Sequence, residues 1–291
     1  MYESFSQDVK NEICAFRVKG KCCKVAFLYG MICGTNPHTE DTVIFESENP
    51  SVVMHYARLI KEITGWRKES DIALTYISDH QKLKEIKDKL GVSSITTIDH
   101  NAFMCEECVR SFIRGMFLSC GTVTYPESSY HMEFLIRGRE RAKMLLEFLS
   151  DLGTVPKLIE RRSGYYGVYY KDSENVVDVL GHLGANKAAF KMLDIKIIKD
   201  IRNNANRVAN CEAANISKTI AASDSQMRAI EKIIESGKSD ELPDELRMTL
   251  DLRAGFPSAT LKELAEMHNP PITKSGVNHR LKRLIDFADK L

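Results

Sequence analysis

Two stretches of the chain repeat one pattern of small and apolar positions. The first is Ala26-Phe-Leu-Tyr-Gly30-Met-Ile-Cys-Gly34 and the second is Ser111-Phe-Ile-Arg-Gly115-Met-Phe-Leu-Ser119. Small residues recur every fourth position in both, at 26, 30, 34 and at 111, 115, 119, a constant offset of 85. Residues four apart share one helix face. A face of Gly, Ala and Ser lets two backbones approach closely. The pattern predicts a diverged internal repeat whose two central helices pack on each other at a pseudo-twofold axis.

The flanking pattern repeats as well. After the first helix comes Thr42-Val-Ile-Phe-Glu, strand-like, then a helical stretch over 51–64 stopped by Gly65. After the second comes His131-Met-Glu-Phe-Leu-Ile, then a helical stretch over 139–152 stopped by Gly153. Each half continues with β-rich sequence, Ile72-Ala-Leu-Thr-Tyr-Ile and Tyr165-Tyr-Gly-Val-Tyr-Tyr. Each closes with a helix, over 81–90 and 173–183. The order in both is helix, strand, helix, strands, helix. This is an α+β layout, with lobe 1 over residues 1–95 and lobe 2 over 96–185.

Beyond residue 185 the period becomes helical throughout. Residues 181–210 hold six Lys/Arg and two Asp. Residues 186–222 therefore read as a basic helical linker, suited either to phosphate contact or to being a solvated connector. Asp224 is placed as the N-cap of a helix running to about Ser236 and stopped by Gly237. Pro243 is placed in the first turn of another, reaching about Ala254. Then come Thr260-Leu-Lys-Glu-Leu-Ala-Glu-Met-His268, the turn Asn269-Pro-Pro-Ile272, and Thr273-Lys-Ser-Gly-Val-Asn-His-Arg-Leu-Lys-Arg-Leu284. Leu261, Leu264 and Ala265 fall on one face, and Val277, Leu281 and Leu284 do so in the next helix, with Thr273 or Ser275 as its cap. The pair predicts a helix-turn-helix inside an all-α domain over 223–291.

The second helix of that pair turns Lys274, Ser275, Asn278, His279, Arg280, Lys282 and Arg283 away from its apolar stripe. Ile272 to Leu284 holds four Lys/Arg and no acid. A recognition helix reads base edges with residues near its N-terminus. Lys274, Ser275 and Asn278 are the candidates for that task, since Asn can pair bidentately with adenine. Arg280, Lys282 and Arg283 are candidates for phosphate. A helical pair that docks a protein, with a basic solvated face, stays open beside this reading.

Composition changes the picture little. The chain has 291 residues, enough for two domains, and is 43% hydrophobic and 28% charged, as globular proteins are. Its net charge of +1 neither favours nor disfavours nucleic acid, because local patches decide. There is no apolar run of 18 residues and no apolar signal core at the start, so the expected location is the cytoplasm, with no membrane span. Eight cysteines without a secretory signal point to reduced thiols. Cys105-Glu-Glu-Cys108 and Cys22-Cys23 would converge if the two central helices pair, and four thiolates suit tetrahedral zinc. A second CxxC is missing, however, and the second pair is adjacent, so the thiols are read as small buried hydrophobes and no metal is expected. No Walker loop, GxGxxG or Ser-His-Asp layout occurs, so no cofactor is expected.

The two Gly-centred helices resemble diverged LAGLIDADG helices. That resemblance implies two αββαββα lobes whose sheets form a saddle over DNA. It places the family's catalytic acids on Thr35 and Cys120, neither of which is a carboxylate, with Asp41 and Glu127 the nearest acids in the following loops. Hard divalent cations need oxygen ligands, so the resemblance implies a homing-endonuclease fold that does not cut. Across the chain, Lys21-Cys-Cys-Lys24, Ile113-Arg-Gly-Met-Phe-Leu118, Asn206-Arg-Val-Ala-Asn-Cys-Glu-Ala-Ala-Asn215 and Pro271-Ile-Thr-Lys-Ser-Gly-Val-Asn-His-Arg-Leu281 resemble the WhiA family of bacterial sporulation and cell-division regulators. The resemblance implies a non-catalytic, nucleoid-associated transcription factor on double-stranded DNA, with an RNA polymerase sigma factor as a partner. A protein-interaction scaffold and a residual nuclease are the two alternatives.

Overall fold

The computed structural model describes residues 4–35, 42–66 and 74–291. The chain forms two units that divide between Asp200 and Ile201. In the first, α1 (Phe5–Ala15) precedes α2 (Lys21–Gly34), β1 (Val43–Glu46), α3 (Pro50–Thr64), β2 (Leu74–Ile77) and α4 (His80–Leu90). The second half follows with α5 (Glu106–Cys120), β3 (Gly121–Val123), β4 (Met132–Arg137), α6 (Arg139–Asp151), β5 (Lys157–Glu160), β6 (Tyr165–Tyr170) and α7 (Ser173–Leu183).

Helix α2 is apolar nearly all round, and a helix of that kind must be buried. It lies along α5, and the repeat offset of 85 is visible in the contacts. A Cβ built on Gly30 would stand 2.0 Å from the Phe112 carbonyl oxygen, and one on Gly115 would stand 2.2 Å from the carbonyl oxygen of Phe27, the equivalent residue of the other helix. Gly34 faces Ser119, whose Cβ would lie 2.8 Å from an added one. The Ser119 hydroxyl donates to the Met31 carbonyl at 2.7 Å. Ala26 and Ser111 are fully buried toward the N-terminal ends. Like ends therefore meet like ends, and the two helices run parallel.

Local sequence sets the surrounding elements. Asn49 accepts from the amides of Ser51 and Val52, Pro50 occupies the first turn of α3, and Gly65 ends it at φ 83°. Asp172 caps α7 by accepting from the Asn175 amide at 2.8 Å. Among the described residues, β1 and β2 pair antiparallel with Val43 opposite Ile77. The second half has a four-stranded antiparallel sheet in the order β3-β4-β6-β5. Met132, Phe134 and Ile136 alternate inward along β4, as a half-buried strand requires. Strand β3, three residues directly after α5, and helix α1 are elements that the hydrophobic pattern did not signal.

One core joins both halves, with buried residues from Phe5 to Met192. Arg114 of α5 is buried in it. Its guanidinium donates to the carbonyls of Leu183 (3.1 Å) and His182 (2.9 Å), pairs with Glu107 at 2.6 Å and stacks on Phe16.

Helix α8 (Asn186–Glu235) is continuous for 50 residues and crosses the division between the units. Asp224, read from sequence as an N-cap, sits inside it. The reason is visible in composition: no Gly or Pro interrupts residues 186–235, so nothing stops propagation. Its start is held by Glu12 of α1, whose carboxylate accepts from the amides of Lys187 (2.7 Å) and Ala188 (3.1 Å).

The second unit adds α9 (Asp244–Gly255), α10 (Leu261–Met267) and α11 (Lys274–Ala288) to the end of α8. Pro243 is the residue before α9 rather than within it. Ile230 and Ile233 of α8, Leu246 and Leu250 of α9, Leu264 of α10, and Val277, Leu281 and Leu284 of α11 make its core.

Candidate nucleic-acid interface

Helices α10 and α11 are built by local signals. Thr260 and Glu263 form a capping box: the Thr260 hydroxyl accepts from the Glu263 amide (3.3 Å), and the Glu263 carboxylate accepts from the Thr260 amide (2.7 Å). Those bonds hold the Glu263 carboxyl below its ordinary value. Thr273 starts α11 by accepting from the Gly276 amide at 3.1 Å. Between the helices, the Asn269–Pro270 bond is cis and the Ile272 amide returns to the Ala265 carbonyl at 3.0 Å. His268 ties the turn to α9. Its Nδ1–H donates to the Leu264 carbonyl (2.7 Å), and Nε2 lies 2.9 Å from the Thr249 hydroxyl. The buried Arg253 of α9 donates to the Ala259 carbonyl and to the Ser223 hydroxyl, so the chain before α10 is fixed too.

The recognition candidates separate into two sets on α11. Lys274, Ser275, His279 and Lys282 are exposed and Asn278 is half-exposed. Their spacing of three and four residues puts them on one face. Arg280 and Arg283 lie on the flank toward α9, and both meet Glu245. Arg283 Nη1 is 2.6 Å and Arg280 Nη2 3.5 Å from its carboxylate. Both are phosphate candidates by sequence; a partner 35 and 38 residues away is not visible in local spacing.

The opposite candidate, the C-terminal ends of α2 and α5, is different in kind. Thr35 is buried there and donates to the Ile32 carbonyl of its own helix at 2.9 Å. Cys120 is buried and donates to the Met116 carbonyl at 3.2 Å. Burial pushes the thiols of Cys120 and Cys33 up to about 12, so both are neutral. The nearby charges are cationic: Lys10, and Arg141, which donates to the Cys33 carbonyl at 3.2 Å. Glu127 is in an exposed loop, and Asp41 lies outside the described residues. The tyrosines of the second lobe divide. Tyr170 is buried against Thr154 (2.7 Å), Tyr125 and Tyr130 carry Lys191 and Lys199 over their rings, and Tyr165 and Tyr169 sit on the outward sheet face.

At the N-terminal ends of α2 and α5 the thiols of Cys22, Cys23, Cys105 and Cys108 come together. They do not fit the sequence reading of small buried hydrophobes, since Cys105 is exposed and Cys22 half-buried. The pairing of the two helices brings Cys23 onto Cys108, its equivalent 85 residues on, and the other two follow. No helix among the described residues is long and apolar enough to cross a membrane.

Fold and site together define a protein with a two-lobe LAGLIDADG-like domain followed by a helix-turn-helix domain. Residues 109–202 match the WhiA LAGLIDADG-like domain, and residues 205–288 match the WhiA C-terminal HTH domain. The chain is 34% identical over 312 residues to a probable cell division protein WhiA of Clostridium novyi (strain NT), covering 99% of this chain and 98% of that one. It is 34% identical over 311 residues to its counterpart in Clostridium botulinum (strain Hall), with the same coverage. The crystal structure of full-length DUF199/WhiA from Thermotoga maritima shares the fold, with a TM-score of 0.60 at 22% identity over 99% of both chains. The chain belongs to the WhiA family.

Proposed function

We propose that the chain is a non-catalytic DNA-binding regulator acting in cell division, chromosome segregation or sporulation, and that it works on the nucleoid in the cytoplasm. The observation that carries this is the face of α11. Lys274, Ser275, Asn278, His279 and Lys282 stand together beside no acid between Ile272 and Leu284. Lys274, Ser275 and Asn278 face base edges in the major groove, and His279 extends that contact. Lys282, Arg280 and Arg283 meet phosphates. The relatives' designation as cell division proteins supports the cellular role.

The ends of α2 and α5 support the non-catalytic part of this reading. A two-acid centre would hold a hard cation between carboxylates. Thr35 and Cys120 offer a hydroxyl and a neutral thiol, both turned onto their own helices, with Lys10 and Arg141 close by. Supercoiled plasmid incubated with the protein and Mg2+ should stay uncut, and nicking or linearisation would overturn the non-catalytic reading.

The test is DNA affinity of the full chain on genomic fragments at several salt concentrations, with a Lys274→Ala/Lys282→Ala double variant alongside. Affinity falls steeply with salt, and the double variant lowers both affinity and slope. Absence of binding at low salt, or binding that the double variant leaves unchanged, defeats the reading.

The lobes support a second role, as a docking platform for a protein such as an RNA polymerase sigma factor. The outward face of the β3-β4-β6-β5 sheet shows Leu135, Ile159, Tyr165 and Tyr169, and its Arg161 is held by Glu133 at 2.8 Å. Exposed apolar and aromatic groups suit a protein partner. Arg137 and Lys157 lie on the same face and Lys171 sits over the Tyr169 ring, so that partner would be acidic as well as apolar. Leu135→Asp should lower sigma-factor capture and leave DNA affinity intact; equal capture by both proteins would defeat this role.

A further inference from the structure

We propose that Cys22, Cys23, Cys105 and Cys108 bind one structural Zn2+ ion that clasps the N-terminal ends of the paired helices α2 and α5. The Sγ atoms are 4.0 Å apart for Cys22 and Cys23, 3.9 Å for Cys22 and Cys105, and 3.6 Å for Cys23 and Cys105. They are 3.4 Å apart for Cys105 and Cys108, and 4.0 Å for Cys23 and Cys108. All four lie within 4.8 Å of one another. A tetrahedral zinc–thiolate site with bonds of about 2.3 Å has edges of about 3.8 Å. The measured edges scatter around that value, so one ion fits between the four sulfurs with only small side-chain shifts. An iron–sulfur cubane, which inserts four irons and four sulfides between its ligands, needs far wider spacing.

The positions of the four residues match the charge such a site carries. Four thiolates around a divalent cation leave two net negative charges. Cys22 and Cys23 are the second and third residues of α2, Cys105 is the N-cap of α5, and Cys108 is its third residue. Both helix dipoles therefore point their positive ends at the sulfurs. Neither helix has a side-chain cap, whereas α1, α3, α4 and α7 are capped by Ser4, Asn49, Asp79 and Asp172. With no side-chain cap in the way, first-turn amides of α2 and α5 can donate to the thiolates, that of Cys108 also reaching the Cys105 carbonyl at 2.9 Å. Gly20 makes room: a Cβ there would stand 3.2 Å from the Cys23 sulfur and 3.7 Å from the Cys22 sulfur. Soft thiolate donors select zinc over calcium or magnesium, and four of them leave no open position for a substrate. The site is therefore structural. It fastens the two halves of the repeat at the end of the helix pair remote from Thr35 and Cys120.

The test uses the full chain, purified under reducing conditions without added metal. Metal analysis by mass spectrometry should give one zinc per chain, released when the thiols are titrated with a mercurial and detected by a chromophoric chelator. Replacement by Co2+ should give the intense visible bands of tetrahedral cobalt with thiolate charge transfer. Cys105→Ser alters an exposed ligand and should let the chelator strip zinc without a mercurial. Cys211→Ser, an exposed cysteine outside the cluster, should keep its zinc. If Cys105→Ser does not fold, the zinc content and cobalt spectrum of the unaltered chain still decide. Absence of stoichiometric zinc, iron in its place, or an intact mass two hydrogens lower from a disulfide within the cluster would each overturn the proposal.

Discussion

Glu245 of α9 holds Arg283 of α11 at 2.6 Å, and its second carboxylate oxygen meets Arg280 at 3.5 Å. One acid thus neutralises part of the cationic flank of the helix proposed to enter DNA. The Glu245 side chain is 46% exposed, so its pairs add little to stability. They matter more for binding, because a phosphate competes with Glu245 for the same guanidinium groups. Glu245→Gln should tighten DNA binding by roughly two- to thirtyfold, as expected for two exposed pairs worth about 0.2–1 kcal/mol each. It should also steepen the salt dependence. Fluorescence anisotropy against salt checks this, and weaker binding by the variant would mean that Glu245 positions the arginines instead.

The face of α11 predicts a separation between affinity and specificity. Asn278 offers an amide suited to adenine, and Lys282, one turn further, offers a point charge. Asn278→Ala should cost about 1–3 kcal/mol on the preferred site and flatten the discrimination between sites. Lys282→Ala should weaken all sequences alike and reduce the salt slope by about one. Competition binding between a selected site and a scrambled one distinguishes them. If both variants behave the same way, the division of labour along α11 is wrong.

Two Gly→Ala changes should have opposite outcomes, one inside the parallel pair α2–α5 and one outside it. At Gly30 the new methyl meets the Phe112 carbonyl and the Met116 amide, which are backbone and cannot rotate away. Overpacking there should cost about 1–3 kcal/mol or more, beyond the roughly 1 kcal/mol that Ala gains over Gly in a helix. At Gly181, in α7, nothing lies within 4 Å of the added carbon. Gly181→Ala should stabilise by up to about 1 kcal/mol. Urea unfolding midpoints of the full chain measure both, and a Gly30→Ala protein as stable as the original would contradict the close packing.

These glycines also show why much of the fold was legible. A backbone-to-backbone contact tolerates only small residues, so it writes itself into the sequence at a fixed spacing, and the repeat offset of 85 survives. Helix α7 was legible for a similar reason: Asp172 and Gly184 are local caps that act over a few residues. Strand β3 was not, because three residues beginning with Gly121 carry no alternation and gain their pairing from β4. Helix α8 misled at Asp224, where a good capping residue sits in a stretch that nothing stops. The convergence of Cys22 and Cys23 with Cys105 and Cys108 was legible too, since it follows from the pairing of the two small-residue helices. The Glu245 pairs and the distribution of exposure among the four thiols depend on contacts tens of residues apart. Those come from packing, which hydrophobic period does not encode.

A last prediction concerns acid stability. His55 of α3 is buried against Phe27, with ring centroids 4.8 Å apart, and its Nδ1 accepts from Arg58 Nη2 at 2.6 Å. Burial first, and the Arg58 charge second, lower its pKa from 6.5 to about 4. Between those values the unfolded chain binds a proton that the folded chain refuses. Stability from this group is therefore complete above pH 6.5 and is lost as pH falls toward about 4, with an upper limit of roughly 3 kcal/mol. Carboxylates add their own slope in the same range, so the comparison must be internal. His55→Leu keeps a side chain of similar bulk and removes the titration. Its unfolding free energy should change less between pH 7 and pH 4.5 than that of the unaltered protein. Identical slopes in urea titrations at the two pH values would show that His55 takes up its proton equally well in both states.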